Sequence, residues 1–113
     1  MAEEMTAAEI GSIGERHATA ALQAQGWSCY RNTQLPGSTD IEATTTDGRG
    51  TVIKRLLVQV KTAVTPNAPA DLTADDKRAI ISRANRNNAE AWLAQVKIDS
   101  SGGSLGIAWT RLS

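Results

Sequence analysis

Apolar residues recur at helical spacing near the start of the chain, directly after a pattern typical of a helix N-terminus. Thr6 and Glu9 stand three residues apart, like the hydroxyl and the carboxylate of a capping box. The apolar stripe that follows consists of Ile10, Ile13, His17, Ala18, Ala21 and Leu22. This periodicity predicts a first helix over residues 7–25, and Gly26 provides a stop.

Alternation of apolar and polar residues predicts the strands. The predicted strands cover residues 27–32, 39–45, 55–62, 91–98 and 106–112. Turn residues at 47–50 separate the second strand from the third, which predicts a hairpin. In the third strand one face bears Leu56, Val58 and Val60, and the other bears Leu57, Gln59 and Lys61.

A second helix is predicted to begin at Thr73, which acids follow, and to stop at residues 87–88. It directs Ile80, Ile81 and Ala84 toward the core. The order of helix, three strands, helix and two strands predicts an α/β fold (αβββαββ). We expect a mixed central sheet of about five strands flanked by two helices, in a single domain over residues 1–113.

Composition restricts the class of protein. With 41% hydrophobic and 21% charged residues, the 113-residue chain is typical of a soluble globular domain. We expect a cytoplasmic protein without a membrane partner, because no apolar run approaches a membrane span and the amino terminus lacks signal-peptide features. The net charge of zero argues against a non-specific nucleic-acid coat. The basic residues in the middle and later segments favour one electropositive side of the protein. They are Lys54, Arg55, Lys61, Lys77, Arg78, Arg83 and Arg86.

The candidate chemistry centres on Asp40, Gln59 and Lys61. Asp40 follows turn residues at 36–37, and hydrogen bonds from turn amides could explain an aspartate there. Aspartate is disfavoured in strands, however, which favours a functional role for Asp40. Neighbouring antiparallel strands would bring the three side chains to one place. A carboxylate, a neutral oxygen and an ammonium there can hold a hard divalent cation and a phosphate. This set points to phosphodiester hydrolysis.

Glu15 is the second candidate acid, at the margin of the apolar stripe of the first helix. Because Leu57 shares a face with Gln59 and Lys61, we expect the first helix to cover that face and deliver Glu15. The alternative is a solvated acid paired with a nearby base. Glu42 is either a further ligand or an ordinary solvent-facing residue.

The charges suit one Mg²⁺ or Mn²⁺ ion. Glu15 and Asp40 supply two negative charges, while the Gln59 side chain and the Val60 carbonyl offer neutral oxygens. Activating water and polarising the scissile phosphate would be the metal's tasks. Lys61 would orient that water or stabilise charge on the phosphate.

Other polar and aromatic residues have structural interpretations. We expect His17 to be a core residue and Cys29, the single cysteine, to be structural. The paired glycines Gly11 and Gly14 indicate close approach of the first helix to another backbone. The tryptophans Trp27, Trp92 and Trp109 are expected to pack, with stacking on a nucleobase as the alternative. Arg83 and Arg86 form a solvated helix face, or else contact phosphate.

Three segments, taken in their order along the chain, resemble the motifs of the PD-(D/E)XK nuclease superfamily. They are Gly-Ser-Ile-Gly-Glu at 11–15, Gly-Ser-Thr-Asp-Ile-Glu at 37–42 and Leu-Val-Gln-Val-Lys-Thr at 57–62. The helix-borne glutamate resembles that of the archaeal Holliday-junction-resolvase and restriction-endonuclease-like branch. The resemblance implies a restriction-endonuclease-like core with Glu15, Asp40 and Lys61 in the site. Gln59 stands where the family's motif usually has an acid, so the resemblance does not decide whether the site holds one metal ion or two.

The leading hypothesis is a Mg²⁺-dependent endonuclease that cuts duplex or branched DNA. Because cutting two strands needs two sites, we expect a homodimer, formed through the last strand, where Ile107 and Trp109 share a face. The alternative is a catalytically inactive DNA-binding or accessory subunit. A third interpretation is a small α/β protein in which the acids and Lys61 form only a structural ion pair.

Overall fold

The computed structural model of the chain describes residues 4–31 and 40–113. The helices and strands are α1 (Ala7–Ala24), β1 (Ser28–Arg31), β2 (Ile41–Thr46), β3 (Val52–Val64), α2 (Ala74–Arg86), β4 (Glu90–Ile98) and β5 (Ser104–Arg111). The predicted α/β class and element order are confirmed, and β3 is longer at both ends than its pattern indicated. The predicted turn at 36–37 and the first residue of the predicted second strand lie outside the described residues.

The five strands form one mixed sheet in the order β1-β2-β3-β4-β5. All neighbouring pairs are antiparallel except β3 and β4, which run parallel. Parallel neighbours need a crossover connection, and α2 lies in the connection between these two strands. No helix in the described part of the chain has the length and apolar character needed to span a membrane.

Helix α1 covers the face of β3 that bears Leu56, Val58 and Val60. Its buried residues Ala18 and Leu22 belong to the same core cluster as these side chains. The predicted capping box is present, since the Thr6 hydroxyl accepts from the Glu9 amide at 3.1 Å and the Glu9 carboxylate accepts from the Thr6 amide at 3.3 Å. These bonds satisfy amide groups that lack a partner in the first helical turn.

The predicted close approach of α1 holds for only one of the two glycines. A Cβ on Gly14 would overlap the side chain of Thr62 on β3, whereas a Cβ on Gly11 would meet nothing within 4 Å. The contact is therefore with a side chain rather than with a backbone. Gly14 fixes the position of the helix turn that also bears Glu15.

Helix α2 covers the opposite face of the sheet. Leu57 is fully buried there in a second cluster with Leu72, Ile80 and Ala84. The expectation that the first helix covers the Leu57 face is wrong, because α2 packs against it. Gln59 and Lys61 alternate with Leu57 along β3, so their side chains belong to the α2 side of the sheet.

The β2–β3 hairpin extends beyond the rest of the sheet. Pairing of β3 with β4 begins at Leu56 opposite Glu90, so residues 52–55 have no β4 neighbour. The Asp47 carboxylate accepts from the amides of Arg49 at 2.8 Å and Thr51 at 3.1 Å. The hairpin end is thus an ordered turn on a two-stranded ribbon.

Candidate active site

Asp40 lies immediately before β2, one residue outside the strand in which it was expected. Its amide donates to the Val58 carbonyl at 2.9 Å, which continues the antiparallel pairing of β2 with β3. Its carboxylate Oδ2 accepts a 2.8 Å hydrogen bond from the Val60 amide. Two bonds to the same strand therefore hold the backbone and the side chain of Asp40 against β3.

The sheet has a notch at this position. Strand β2 pairs with β3 only up to Val58, so within residues 4–31 and 40–113 the later part of β3 has a strand neighbour on the β4 side alone. Asp40 directly precedes the first residue of β2. Its carboxylate is within electrostatic reach of Glu15 on α1 and of Lys61 on β3.

Gln59 and Lys61 approach the notch from the α2 side. The pairing of β2 with β3 ends at Ile41 opposite Val58, so Gln59 is the first residue of β3 beyond that pairing. The Gln59 side-chain oxygen is buried and has no hydrogen-bond partner among the described residues. Lys61 is half-buried, and its ammonium is close enough to Asp40 to lower the pKa of that carboxyl.

Glu15 approaches from the α1 side and is accompanied by a cation that sequence analysis missed. Arg31, the last residue of β1, lies 3.7 Å from the Glu15 carboxylate. Both side chains are largely shielded, with exposed fractions of 28% for Arg31 and 21% for Glu15. The usable signal was alternation along the predicted strand at residues 27–32, which sets Arg31 on the same face as Trp27 and Cys29.

Both carboxyl groups hold their protons more tightly than an exposed acid does. Burial raises the pKa of Glu15 above 4.5, the nearby Asp40 charge raises it further, and Arg31 opposes both effects. Burial also raises the pKa of Asp40 above 3.8, against the Val60 hydrogen bond and the charges of Lys61 and Arg31. Two mutually repelling carboxylates in a shielded place are an environment that a cation would relieve.

The polar groups at the notch suit a hard divalent cation. Besides the two carboxylates, the Gln59 oxygen is unpartnered among the described residues, and the Val60 carbonyl points to the same side of β3 as the Val60 amide. Oxygen ligands of this kind are those that Mg²⁺ prefers. No cluster of three or more His, Cys, Asp or Glu side chains occurs in the described ranges, so carboxylates alone do not complete the set.

Several other predicted residues lie elsewhere. Glu42 lies opposite Leu57 on the α2 side, and its carboxylate is 3.8 Å from the Arg83 guanidinium. Glu42 and Arg83 therefore contact each other as well as solvent. His17 was expected in the core but is only half-buried, and its Nε2 is 2.8 Å from the Gly102 carbonyl. Burial raises the pKa of the Cys29 thiol.

The tryptophans pack partly against the core, as expected, although Trp27 precedes β1 instead of lying in a strand. Ile107 and Trp109 do share a face of β5. That face turns inward, however, since both side chains pack against the α1 core cluster. The pair is therefore only partly exposed, and a dimer contact through β5 stays a prediction.

Comparison with solved structures shows a similar fold in a known protein. The chain is similar to Hjc, a Holliday junction resolvase from the archaeal hyperthermophile Archaeoglobus fulgidus, with a TM-score of 0.61 and 23% sequence identity. The similarity covers 90% of this chain and 72% of the resolvase chain. No family model matches the sequence, and no curated protein matches it either. The architecture of the chain is thus that of a restriction-endonuclease-like fold.

Proposed function

We propose that the protein is a metal-dependent DNA endonuclease of the PD-(D/E)XK type. The observation that carries the proposal is the Asp40 carboxylate, held at the notch by the Val60 amide within electrostatic reach of Glu15 and Lys61. The similarity in fold to a Holliday junction resolvase supports it. Branched or duplex DNA is the substrate class in best accord with that similarity.

In this proposal Glu15, Asp40, Gln59 and the Val60 carbonyl would hold Mg²⁺ or Mn²⁺. A bound divalent cation would supply the Lewis acidity that activates water and polarises the phosphate. The Val60 amide keeps the Asp40 carboxylate in position, and Arg31 opposes the rise in the pKa of Glu15 that burial and Asp40 cause. The Lys61 ammonium would stabilise the negative charge that develops on the phosphate.

Cleavage of both strands of a duplex or junction calls for two such sites. We therefore propose a symmetric homodimer, in which each chain contributes one site. Since Ile107 and Trp109 pack inward, a contact through β5 would use the unpaired backbone groups of this edge strand and the exposed Leu105.

The test is incubation of the purified protein with a four-way DNA junction and with plasmid, in Mg²⁺ or Mn²⁺. We expect cleavage that is lost with Asp40→Ala and reduced about 10²–10³-fold with Lys61→Ala. Asp75→Ala and Lys77→Ala change exposed charges on α2 and serve as matched controls with unchanged cleavage. Cleavage that survives both Asp40→Ala and Lys61→Ala would remove the site from the reaction.

A second candidate is a catalytically inactive DNA-binding or accessory subunit with the same fold. The observation that favours it is Gln59 in place of an acid, together with the absence of a three-acid cluster in the described part of the chain. Calorimetric titration with Mn²⁺ separates the two candidates. The nuclease binds Mn²⁺ in an Asp40-dependent manner, whereas the inactive subunit shows no metal binding that Asp40→Ala weakens.

A further inference from the structure

All three tryptophans of the chain line one cavity on the α1 side of the sheet. The cavity has a volume of about 220 Å³ and is lined by Leu22, Gln25, Trp27, Lys54, Leu56, Glu90, Trp92 and Trp109. The buried core, in contrast, contains only aliphatic residues among those described. The bulky aromatic side chains are therefore gathered around an open cavity instead of filling the interior.

The cavity has aromatic walls in fixed positions. Each indole is half-buried and packs partly against the core cluster. The Trp92 Nε1–H group donates a 3.0 Å hydrogen bond to the Glu90 carboxylate, which fixes the ring against the start of β4. Indole rings favour flat π systems, and every nucleobase can stack on them without regard to sequence.

The charges at the rim select among possible occupants. The Glu90 carboxylate lies 3.4 Å from the Lys54 ammonium and 3.8 Å from the Arg111 guanidinium. Two cations against one acid leave net positive charge beside the aromatic walls. This arrangement disfavours a cationic ligand and suits a ligand in which an aromatic ring is attached to a phosphate.

The cavity also lies within reach of the candidate active site. Trp27 immediately precedes β1, and the last residue of that strand, Arg31, pairs with Glu15. At the rise of an extended strand, Trp27 lies about 13 Å from Arg31, the residue that pairs with the candidate ligand Glu15. That distance corresponds to about four nucleotides along one strand of duplex DNA.

We propose that this cavity binds an unpaired nucleobase of the DNA substrate, with Lys54 and Arg111 contacting the adjoining phosphates. The inference rests on the proposed nuclease function and narrows its substrate to DNA with an unpaired base close to the cut. Such bases occur at branch points, flaps and strand ends. Fully paired duplex would leave the cavity empty.

The test is a fluorescence titration of the metal-free protein with a single-stranded ten-residue thymidine oligonucleotide. Because every tryptophan lines the cavity, quenching of tryptophan emission reports on this place alone. An abasic oligonucleotide with the same phosphates is the matched ligand control. We expect the thymidine strand to bind about tenfold more tightly than the abasic strand and to quench the emission.

Substitutions test whether base binding takes place at this cavity. Trp109→Leu is expected to weaken binding of the thymidine strand about tenfold and to leave binding of the abasic strand unchanged. Trp109→Phe preserves a ring for stacking and is expected to retain most of the affinity. This variant keeps the proposal testable if Trp109→Leu fails to fold. Tyr30→Leu changes an aromatic residue that is 66% exposed and lies outside the cavity, and it should have no effect.

The outcomes separate this inference from the function on which it rests. Equal affinity for thymidine and abasic strands overturns the base-binding cavity, while Asp40-dependent junction cleavage in the same preparation leaves the nuclease intact. Dissociation of a dimer by Trp109→Leu, without any change in DNA binding, would mean that a second copy covers the cavity and would also overturn it. Failure to bind or cut any DNA overturns both proposals.

Discussion

The Val60 amide donates a 2.8 Å hydrogen bond to the Asp40 carboxylate, directly before β2 begins. A single bond from the backbone of one strand thus orients the acid of its neighbour. The bond satisfies an amide at the notch of the sheet, and it stabilises the ionised form of a carboxyl whose pKa burial raises. Positioning and charge at Asp40 can therefore be separated by substitution.

Asp40→Asn and Asp40→Ala are expected to differ in stability although both abolish metal binding. An asparagine oxygen can still accept from the Val60 amide, whereas alanine leaves that amide without its acceptor. We expect the alanine variant to have the lower free energy of unfolding, by about 1–3 kcal/mol. Urea denaturation of the metal-free proteins at neutral pH measures the difference, and equal stability would contradict the hydrogen bond.

The stability of the metal-free protein is expected to decrease as pH rises through the folded-state pKa values of Glu15 and Asp40. Both values are raised above the ordinary 4.5 and 3.8, so the folded state binds these protons more tightly than the unfolded state. The resulting stability is present below the ordinary values and is lost at higher pH.

The double variant Glu15→Gln/Asp40→Asn removes both groups and should lack this loss. The free energy of unfolding of wild type minus that of the double variant, measured from about pH 4 to pH 8, isolates the effect from acids with lowered pKa values. A difference that stays constant over this range, or one that grows in favour of wild type, would contradict the burial of the two carboxyls.

Arg31→Gln is expected to move the pH dependence of Mn²⁺ binding to higher pH. The Arg31 charge lowers the pKa values of both Glu15 and Asp40, so its removal raises both. Protons then compete with the metal at higher pH than in wild type. Calorimetric titration at a series of pH values provides the measurement, with Arg83→Gln, whose partner is Glu42, as the control that leaves the profile in place.

Gly14→Ala and Gly11→Ala are expected to change stability in opposite directions. A methyl group at Gly14 overlaps the Thr62 side chain and should lower the free energy of unfolding by about 1–3 kcal/mol. At Gly11 the methyl group meets nothing within 4 Å, so alanine should raise stability by up to about 1 kcal/mol through helix propensity. Thermal denaturation of the pair checks both, and a stabilised Gly14→Ala variant would contradict the packing of α1 on β3.

Local sequence patterns predicted the elements well because each depends on neighbouring residues. The capping residues Thr6 and Glu9 defined the start of α1, and alternation along β3 correctly separated Leu57, Gln59 and Lys61 from the other face. The same alternation could not decide which helix covers which face. Each face of β3 carries a buried leucine, Leu56 on one and Leu57 on the other, and the choice depends on how the α2 connection crosses between the parallel strands β3 and β4.

Long-range relationships were the other part that the sequence did not reveal. The ion pair of Arg31 with Glu15 joins β1 to α1; strand alternation could place Arg31 on a face, but it could not identify Glu15 as the partner. The notch beside Val58 likewise depends on where β2 begins, and strand propensity predicts that boundary only to within a few residues. The composition of the candidate site was thus predictable, while its electrostatic surroundings required the tertiary arrangement.

The hairpin that projects past β4 has a practical consequence for engineering. Its turn at residues 47–50 is exposed and lies beyond the last β4 pairing partner of β3. A peptide tag or a small folded module spliced between Gly48 and Arg49 would lengthen only this ribbon, and loop extension costs little free energy. The chain therefore offers an internal attachment point that leaves both termini unmodified.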